Sequence, residues 1–481
     1  MERYSMRASF FARITPSHQK MWLLAAIACF SCVPPLARAL VYILPLLSVL
    51  LAIHFIRKDR TAYIEFICWL YMVTPFVRRY IDYRTGTSET TLMTAPYAAV
   101  AVCLWVLLPR WKEVIQSRYA ALLCVLAAIV YASATTVFQM LLGGLASGIT
   151  AWLMNLLFAF YLVIERRHIR QLYEGFERVM VYGTLFVGAY GVLQYFIFPE
   201  WDRVWLESAE LISFGAPLAM EVRVFSTMNA PQVVAAYLLV GIFIAYGSSY
   251  KIKNASVFLG LASLLLSMSR SSWIAFFAGV LFLAFRLPNR ERKKVFVVGA
   301  ICVGTILIGL QVPALNETLS ERFNSLTDTN DNSAYDRTKT YSSVFHLITS
   351  SPFGLGLGVV GVEKGTESIA DAEHDSSVVN LLLSFGVIGS TVFCVGLFGA
   401  SCRIILAPKS DLLVPLLPIQ AALFALLSEA ALNNILTGPI AFMTWCVVGL
   451  GYATMEARCD LRRRRSVAAD HLLRNEPEVA F

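Results

Sequence analysis

The sequence predicts an all-α, polytopic integral membrane protein of about 12–14 transmembrane helices, with a long outer loop containing short helices. Three observations predict it. Of 481 residues, 57% are hydrophobic and only 15% charged, against about 45–50% and about 25% in an average soluble domain. The mean hydropathy is +0.64, more apolar surface than a water-soluble core can hide, which excludes a soluble enzyme. Apolar runs of near-spanning length recur from Met21 to Met455, where about 20 such residues cross roughly 30 Å of hydrocarbon.

Between charged or turn-rich breaks, candidate spans lie near 21–33, 38–56, 61–77, 93–109, 119–140, 146–164, 178–198, 229–247, 254–268, 271–286, 294–310, 377–400, 411–429 and 434–455. The first is short and is followed by Pro34-Pro35, which disfavours its continuation. The pair 254–268 and 271–286 is nearly continuous. Sidedness follows from Lys and Arg, which are retained in the cytoplasm. With both termini inside, the inner segments are Arg57-Lys58-Asp59-Arg60, 110–118, 166–178, 286–294 and the run Arg462-Arg463-Arg464-Arg465. Roughly 29 of the Lys and Arg residues then lie inside and roughly 11 outside, as the positive-inside rule expects. The net charge of +8 is spread through these connectors, so it reports topology and not nucleic-acid binding. The N-terminus is basic but lacks a small-residue cleavage site, so no removable signal peptide is expected. The ten cysteines show neither a disulfide framework nor a metal-like Cys/His spacing.

The expected division is therefore 1–198, N-terminal helices; 199–228, an outer loop; 229–310, further helices; 311–376, a long outer loop; 377–455, C-terminal helices; and 456–481, a cytoplasmic tail. Long segments that survive between packed helices usually carry function or are disordered. The 311–376 loop holds Tyr335, Tyr341, Phe345, Ile348, Phe353 and a Gly-Leu-Gly-Leu-Gly stretch, too apolar for a solvated tail. It should fold back on the helices. Tyr341, Val344, Phe345 and Ile348 follow helical spacing, which predicts a short surface helix over 334–349, ended by Ser351-Pro352.

Candidate functional residues gather on this outer side. Arg270 stands in Ser267-Met268-Ser269-Arg270-Ser271-Ser272-Trp273 between two apolar runs. An arginine there is either a snorkelling residue at a helix end or faces protein or a polar cavity. The small hydroxyls around it suit an anion that a guanidinium can grip with two parallel hydrogen bonds. Arg223 precedes the span near Asn229, where an ordinary loop arginine paired with Glu221 is the weightier reading; Arg337 sits at the start of the expected surface helix, where a solvated helix face explains it about as well as ligand binding. Together, three arginines on the side from which the positive-inside rule removes them point to one anionic ligand. His374, between Glu373 and Asp375 at the start of the span at 377, carries an imidazole, whose unperturbed pKa of about 6.5 lies near the working pH; a flanking carboxylate would orient the ring, which makes it the best general base in the chain. A solvated or structural histidine is the alternative. No P-loop, Gly-x-Ser-x-Gly elbow, His-Glu-x-x-His or outer Asp-x-Asp is found, so no metal site and no cofactor are expected, and arginines must neutralise a bound phosphate.

The order of these features resembles the bacterial O-antigen ligase and Wzy-like polysaccharide polymerase superfamily. The matching stretches are Phe225-x-x-x-Asn229-x-Pro231, Ser269-Arg270-Ser271, Arg337-x-x-x-Tyr341, Pro352-Phe353-Gly354-Leu355-Gly356-Leu357-Gly358, and His374 before a span bearing Gly386-x-x-Gly389. Ala230 departs from the Asn-Pro-Asn usual in the family, Tyr341 stands for a Trp, Asp375 for an Asn, and Ser384 for a frequent Glu. The first 200 residues match only as a set of spans.

The resemblance implies a membrane glycosyltransferase of the GT-C type at the periplasmic face of the inner membrane. Its donor would be an undecaprenyl-diphosphate-linked glycan, and its acceptor another lipid-linked repeat unit (a polymerase) or a lipid A core (a ligase). Membrane lipids and other polysaccharide-assembly proteins are the implied partners. His374 would be the catalytic base; Arg270, Arg337, Arg223 and Tyr341 would bind the diphosphate; Asp375 and Ser269 would support them. Of the two, polymerisation is preferred, because the signature is incomplete and the Arg223-Val224-Phe225-Ser226-Thr227 stretch looks like that of exopolysaccharide polymerases. A lipid-linked glycan flippase or another transporter is the competing class, disfavoured by the lack of a visible pseudo-repeat and by candidate residues gathered on one side.

Overall fold

The computed structural model describes residues 34–86, 90–139, 144–209, 211–289, 291–293, 351–358, 376–408 and 414–474. The predicted spans 21–33 and 294–310, and the predicted helix at 334–349, lie outside the described residues. Every other predicted span falls on helical structure. The helices are α1 (Pro34–Lys58), α2 (Arg60–Thr85), α3 (Ala95–Ala101, between single turns at Thr91–Thr94 and Leu104–Leu107), α4 (Ala120–Phe138), α5 (Leu145–Ile164) and α6 (Ile169–Ile197). They continue with α7 (Glu200–Ala209), α8 (Pro231–Gly247), α9 (Lys253–Leu266), α10 (Arg270–Arg286), α11 (Ser377–Ile405), α12 (Leu416–Ser428) and α13 (Gly438–Arg474). No strand occurs among the described residues; one isolated bridge joins Gly215 to Val222. The protein is an all-α polytopic membrane protein.

Six stretches are long and apolar enough to cross a bilayer among the described residues: Ala37–Lys58, Ser117–Phe138, Leu145–Ile164, Arg166–Ile197, Ser377–Ile405 and Gly438–Arg464. Their outer faces carry Tyr42, Ile43, Leu46 and Leu50 on α1, and Val387, Ile388, Val395 and Phe398 on α11, all exposed. Hydrocarbon is the solvent that suits such a surface, because helices satisfy their own backbone groups. The centre is built from helices that are apolar on every side. Almost all of α8 is buried, as is α13 from Ile440 to Ala453, the expected fate of a helix without a polar face.

The segments predicted to be cytoplasmic meet at one end. Arg60 and Arg110 share the carboxylate of Glu165 at 2.5 and 2.6 Å, Arg166 pairs with Asp460 at 2.9 Å, and Arg403 with Glu456 at 2.8 Å. Arg286 Nη2 donates to the carbonyls of Ile405 and Ala407, so the exits of α10 and α11 join the same cluster. Hydrogen bonding to Arg110 holds the Glu113 carboxyl below its ordinary range. The opposite end gathers the starts of α8, α10 and α11 and the end of α12.

A glycine strip, 351–358, docks against α11 from the side. Leu355 N donates to Leu383 O at 2.8 Å, Gly356 N to Ser384 O at 3.0 Å, and Val387 N to Pro352 O at 3.0 Å. These bonds are available because α11 is broken at Gly386, whose φ of 61° and ψ of −172° belong to a region that only glycine enters readily. Tyr131 of α4 and Gln139, which caps its end, donate to Phe353 O and Gly354 O at 3.0 and 3.1 Å. Residues 351–358 of the loop thus pack back on the helices, while the rest of the loop up to 375 lies outside the described residues. A Cβ on Gly386 would run into the backbone of Pro352, Phe353 and Gly354. Gly386→Ala should therefore lower stability by about 1–3 kcal/mol, read as a fall in the unfolding temperature of the detergent-solubilised protein; an unchanged temperature would contradict this account of the break.

Candidate functional site

The site begins where α9 gives way to α10. Serine hydroxyls compete with a helix for its own backbone, and here Ser267 Oγ donates to Leu264 O at 2.7 Å. Met268 then takes a left-handed φ of 51°, uncommon for a residue with a side chain, and Ser269 is extended. Trp273 Nε1 closes the break by donating to Leu264 O at 3.2 Å. Arg270 is the first residue of α10 and is half-buried. Ser269 is buried, its hydroxyl 3.3 Å from that of Ser271 and 3.0 Å from that of Ser272. Behind them, Ser272 Oγ donates to Glu429 Oε2 at 2.9 Å.

Arg223 is brought to the same break. Val224 N donates to Leu266 O at 3.0 Å, and the Arg223 side chain donates to Ser267 O at 3.3 Å and Ser213 O at 3.1 Å. Ser226, three residues on, also has a left-handed φ, of 48°. Two strained non-glycine residues in two mutually bonded loops persist only where the surroundings over-determine them.

Here the surroundings include a residue that sequence reasoning missed. Arg79, on the last turns of α2, is wholly buried; its Nε lies 3.0 Å from Asp202 Oδ1, also wholly buried. Its remaining N–H groups donate to the carbonyls of Ser226 and Met228, and the guanidinium lies over the rings of Phe225 and Trp205 at 4.8 and 5.4 Å, a favourable placement for a cation. Asp202 accepts further bonds from Tyr190 and Gln194, at 2.8 and 2.7 Å. Gln194 turns its other end to the loop, accepting from Phe225 N and Ser226 N. The signal available in the sequence was Arg78-Arg79 abutting an apolar run, with Asp202 in the 199–228 outer loop. The same loop delivers Pro231 to the first position of α8, where its missing N–H costs nothing.

Arg223, Ser269 and Arg270 are thus neighbours. Arg337, Tyr341, His374 and Asp375 lie outside the described residues. Ser376 and Ser377, which follow the His374 segment, are buried at the start of α11 against the turn after α12: Ser377 Oγ donates to Asn433 O and accepts from Ile435 N, both at 2.8 Å. Among the described residues no group of three His, Cys, Asp or Glu side chains is placed to hold a metal. What the arrangement offers chemically is guanidinium and hydroxyl donors at the mouth of a helix break, suited to an oxyanion.

Residues 255–394 match a family model described as O-antigen ligase. No curated protein matches the chain. The matched segment opens within α9 and closes within α11; it takes in Ser269, Arg270, Arg337, Tyr341, His374, Asp375, the glycine strip and the Gly386 break, and leaves out Arg79, Arg223 and Glu429. Residues 255–394 are therefore similar to an O-antigen ligase domain, which supports the Wzy-like superfamily, whose members are glycosyltransferase-type membrane enzymes that act as polymerases or ligases.

Proposed function

We propose that the protein polymerises undecaprenyl-diphosphate-linked oligosaccharide repeat units of an O-antigen or exopolysaccharide at the periplasmic face of the inner membrane. The observation that carries this reading is the meeting of the Arg223 loop with the Ser269-Arg270 break inside a segment that matches the ligase model. A lipid diphosphate presents its head group at the membrane boundary, where such donors can receive it, while its polyprenyl tail lies between helices.

In this reading His374 takes the proton of the acceptor hydroxyl as that oxygen attacks the anomeric carbon of the donor. The glycosidic bond to the diphosphate breaks, and Arg270, Arg337 and Arg223 stabilise the charge that grows on it. Tyr341 contacts the diphosphate, Asp375 orients the histidine ring, and Ser269 shapes the arginine loop. The leaving group departs as a stable anion met by guanidinium groups, so the step needs no metal. A single displacement inverts the anomeric centre.

Ligation to lipid A core is the second reading, favoured by the description of the matching family. Purified protein in lipid, given lipid-linked repeat units alone, should make longer lipid-linked chains. Product formed only after lipid A core is added would instead identify a ligase, and no glycosyl transfer with either acceptor would remove both.

A further inference from the structure

The carboxylate of Glu429 lies outside the matched segment, is fully buried, and has no part in the mechanism above. Burying a carboxylate is unfavourable unless it is bonded, and this one is only half satisfied. Oε2 accepts from Ser272, while Oε1, with the Asn433 side chain beside the carboxyl group, closes no hydrogen bond of normal geometry among the described residues. A group kept in that state asks for a reason beyond packing.

Its neighbours supply one. Ser272 is the third residue of α10, and its hydroxyl also meets Ser269, so the bond fixes the first turn that carries Arg270. A carboxylate at the N-terminal turn of a helix is further favoured by the helix dipole. On its own side, Glu429 closes α12 and begins the turn that receives α11. Its carbonyl accepts from Leu432 N at 2.9 Å and from Asn433 N at 2.8 Å, and Ser377 N donates to Ala430 O at 3.1 Å. Ser377 Oγ and Asn433 O complete the contact. One side chain, 157 residues from its partner along the chain, thus joins the start of α10 to the turn that seats the start of α11.

We infer that Glu429 is a positioning residue, whose bond to Ser272 sets the spacing between the Arg270 loop and the N-terminus of α11, which directly follows the His374 segment. The inference rests on the proposed reaction. Aligning an attacking hydroxyl with its base and leaving group is worth far more in turnover than in ground-state binding. Loss of the bond should therefore lower kcat and leave donor binding in place.

The test uses the full-length protein in lipid, with lipid-linked repeat units as donor. Glu429→Leu should lower kcat by about 10-fold or more, with donor KM within about 3-fold of wild type. Glu429→Gln, whose amide oxygen still accepts from Ser272, should stay within about 3-fold in both. Ser272→Ala should reproduce the leucine variant, and the double variant Glu429→Leu/Ser272→Ala should be no worse than either alone. Wild-type kcat in Glu429→Leu or Ser272→Ala overturns the assignment, as does a loss confined to KM or an equal loss in the glutamine variant. Failure of both bond-breaking variants to fold also overturns it, because the bond would then hold the fold alone. A failure of the proposed reaction is recognised separately: Arg270→Ala and His374→Ala would then keep full activity whatever Glu429 does.

Discussion

Asp202→Ala is expected to destabilise the protein by about 3–5 kcal/mol, the scale found when one partner of a buried ion pair is removed and the other is left uncompensated. Arg79 has no exposure to water, and among the described residues Asp202 is the carboxylate that faces it. The loss would strike first at residues 225–229, because the same guanidinium holds the carbonyls of Ser226 and Met228. A lower unfolding temperature and early proteolysis in this loop are the expected readings. Replacing the pair together, as Arg79→Met with Asp202→Leu, should recover much of the stability, since apolar groups of similar size often substitute for a buried pair at little cost. Activity need not return, because the carbonyls of Ser226 and Met228 would lose their guanidinium donors. An Asp202→Ala protein with unaltered unfolding temperature would remove the ion pair from this role.

His374→Ala carries the second large effect. A positioned general base contributes about 10²–10⁴-fold to rate, so initial rates of chain extension should fall by that factor while protein level and membrane insertion stay normal. Arg270→Lys should also lose most activity if the diphosphate is held by two parallel N–H groups, which an ammonium cannot reproduce. Substantial product from the His374 variant would take the base role from it, and wild-type rates in the lysine variant would argue for simple charge neutralisation.

Hydropathy made the bundle legible because lipid imposes a composition that a single chain cannot disguise. Its errors have a common cause. The span expected to end at 77 continues as α2 to Thr85, and the one expected to start at 178 lies in a helix that begins at Ile169. In both cases charged residues looked like a boundary but have partners: Arg78 with Asp82 at 3.3 Å, Arg79 with Asp202, and Arg178 with Glu65 at 2.9 Å. A sequence displays the charge and conceals its neutralisation.

The site was legible in part for the same reason. Arg270 and Arg223 stood out because topology disfavours arginine on their side, and the structure sets their loops against each other. Glu429 gave no such signal, since a glutamate ending an apolar run is ordinary and its partner is remote. The Gly386-x-x-Gly389 spacing was visible only as a pattern; its reason, a backbone that must open to receive residues 352–356, exists only in three dimensions.

The clamp between α2 and the loop ahead of α8 also bears on modularity. The region matching the ligase family starts at residue 255, yet the conformation of residues 225–229 depends on a cation contributed from residue 79. The amino-terminal helices are therefore no passive anchor that could be exchanged at will. A chimera joining residues 199 onward to a foreign leader must bring an arginine to the same depth, or redesign the aspartate left waiting for it.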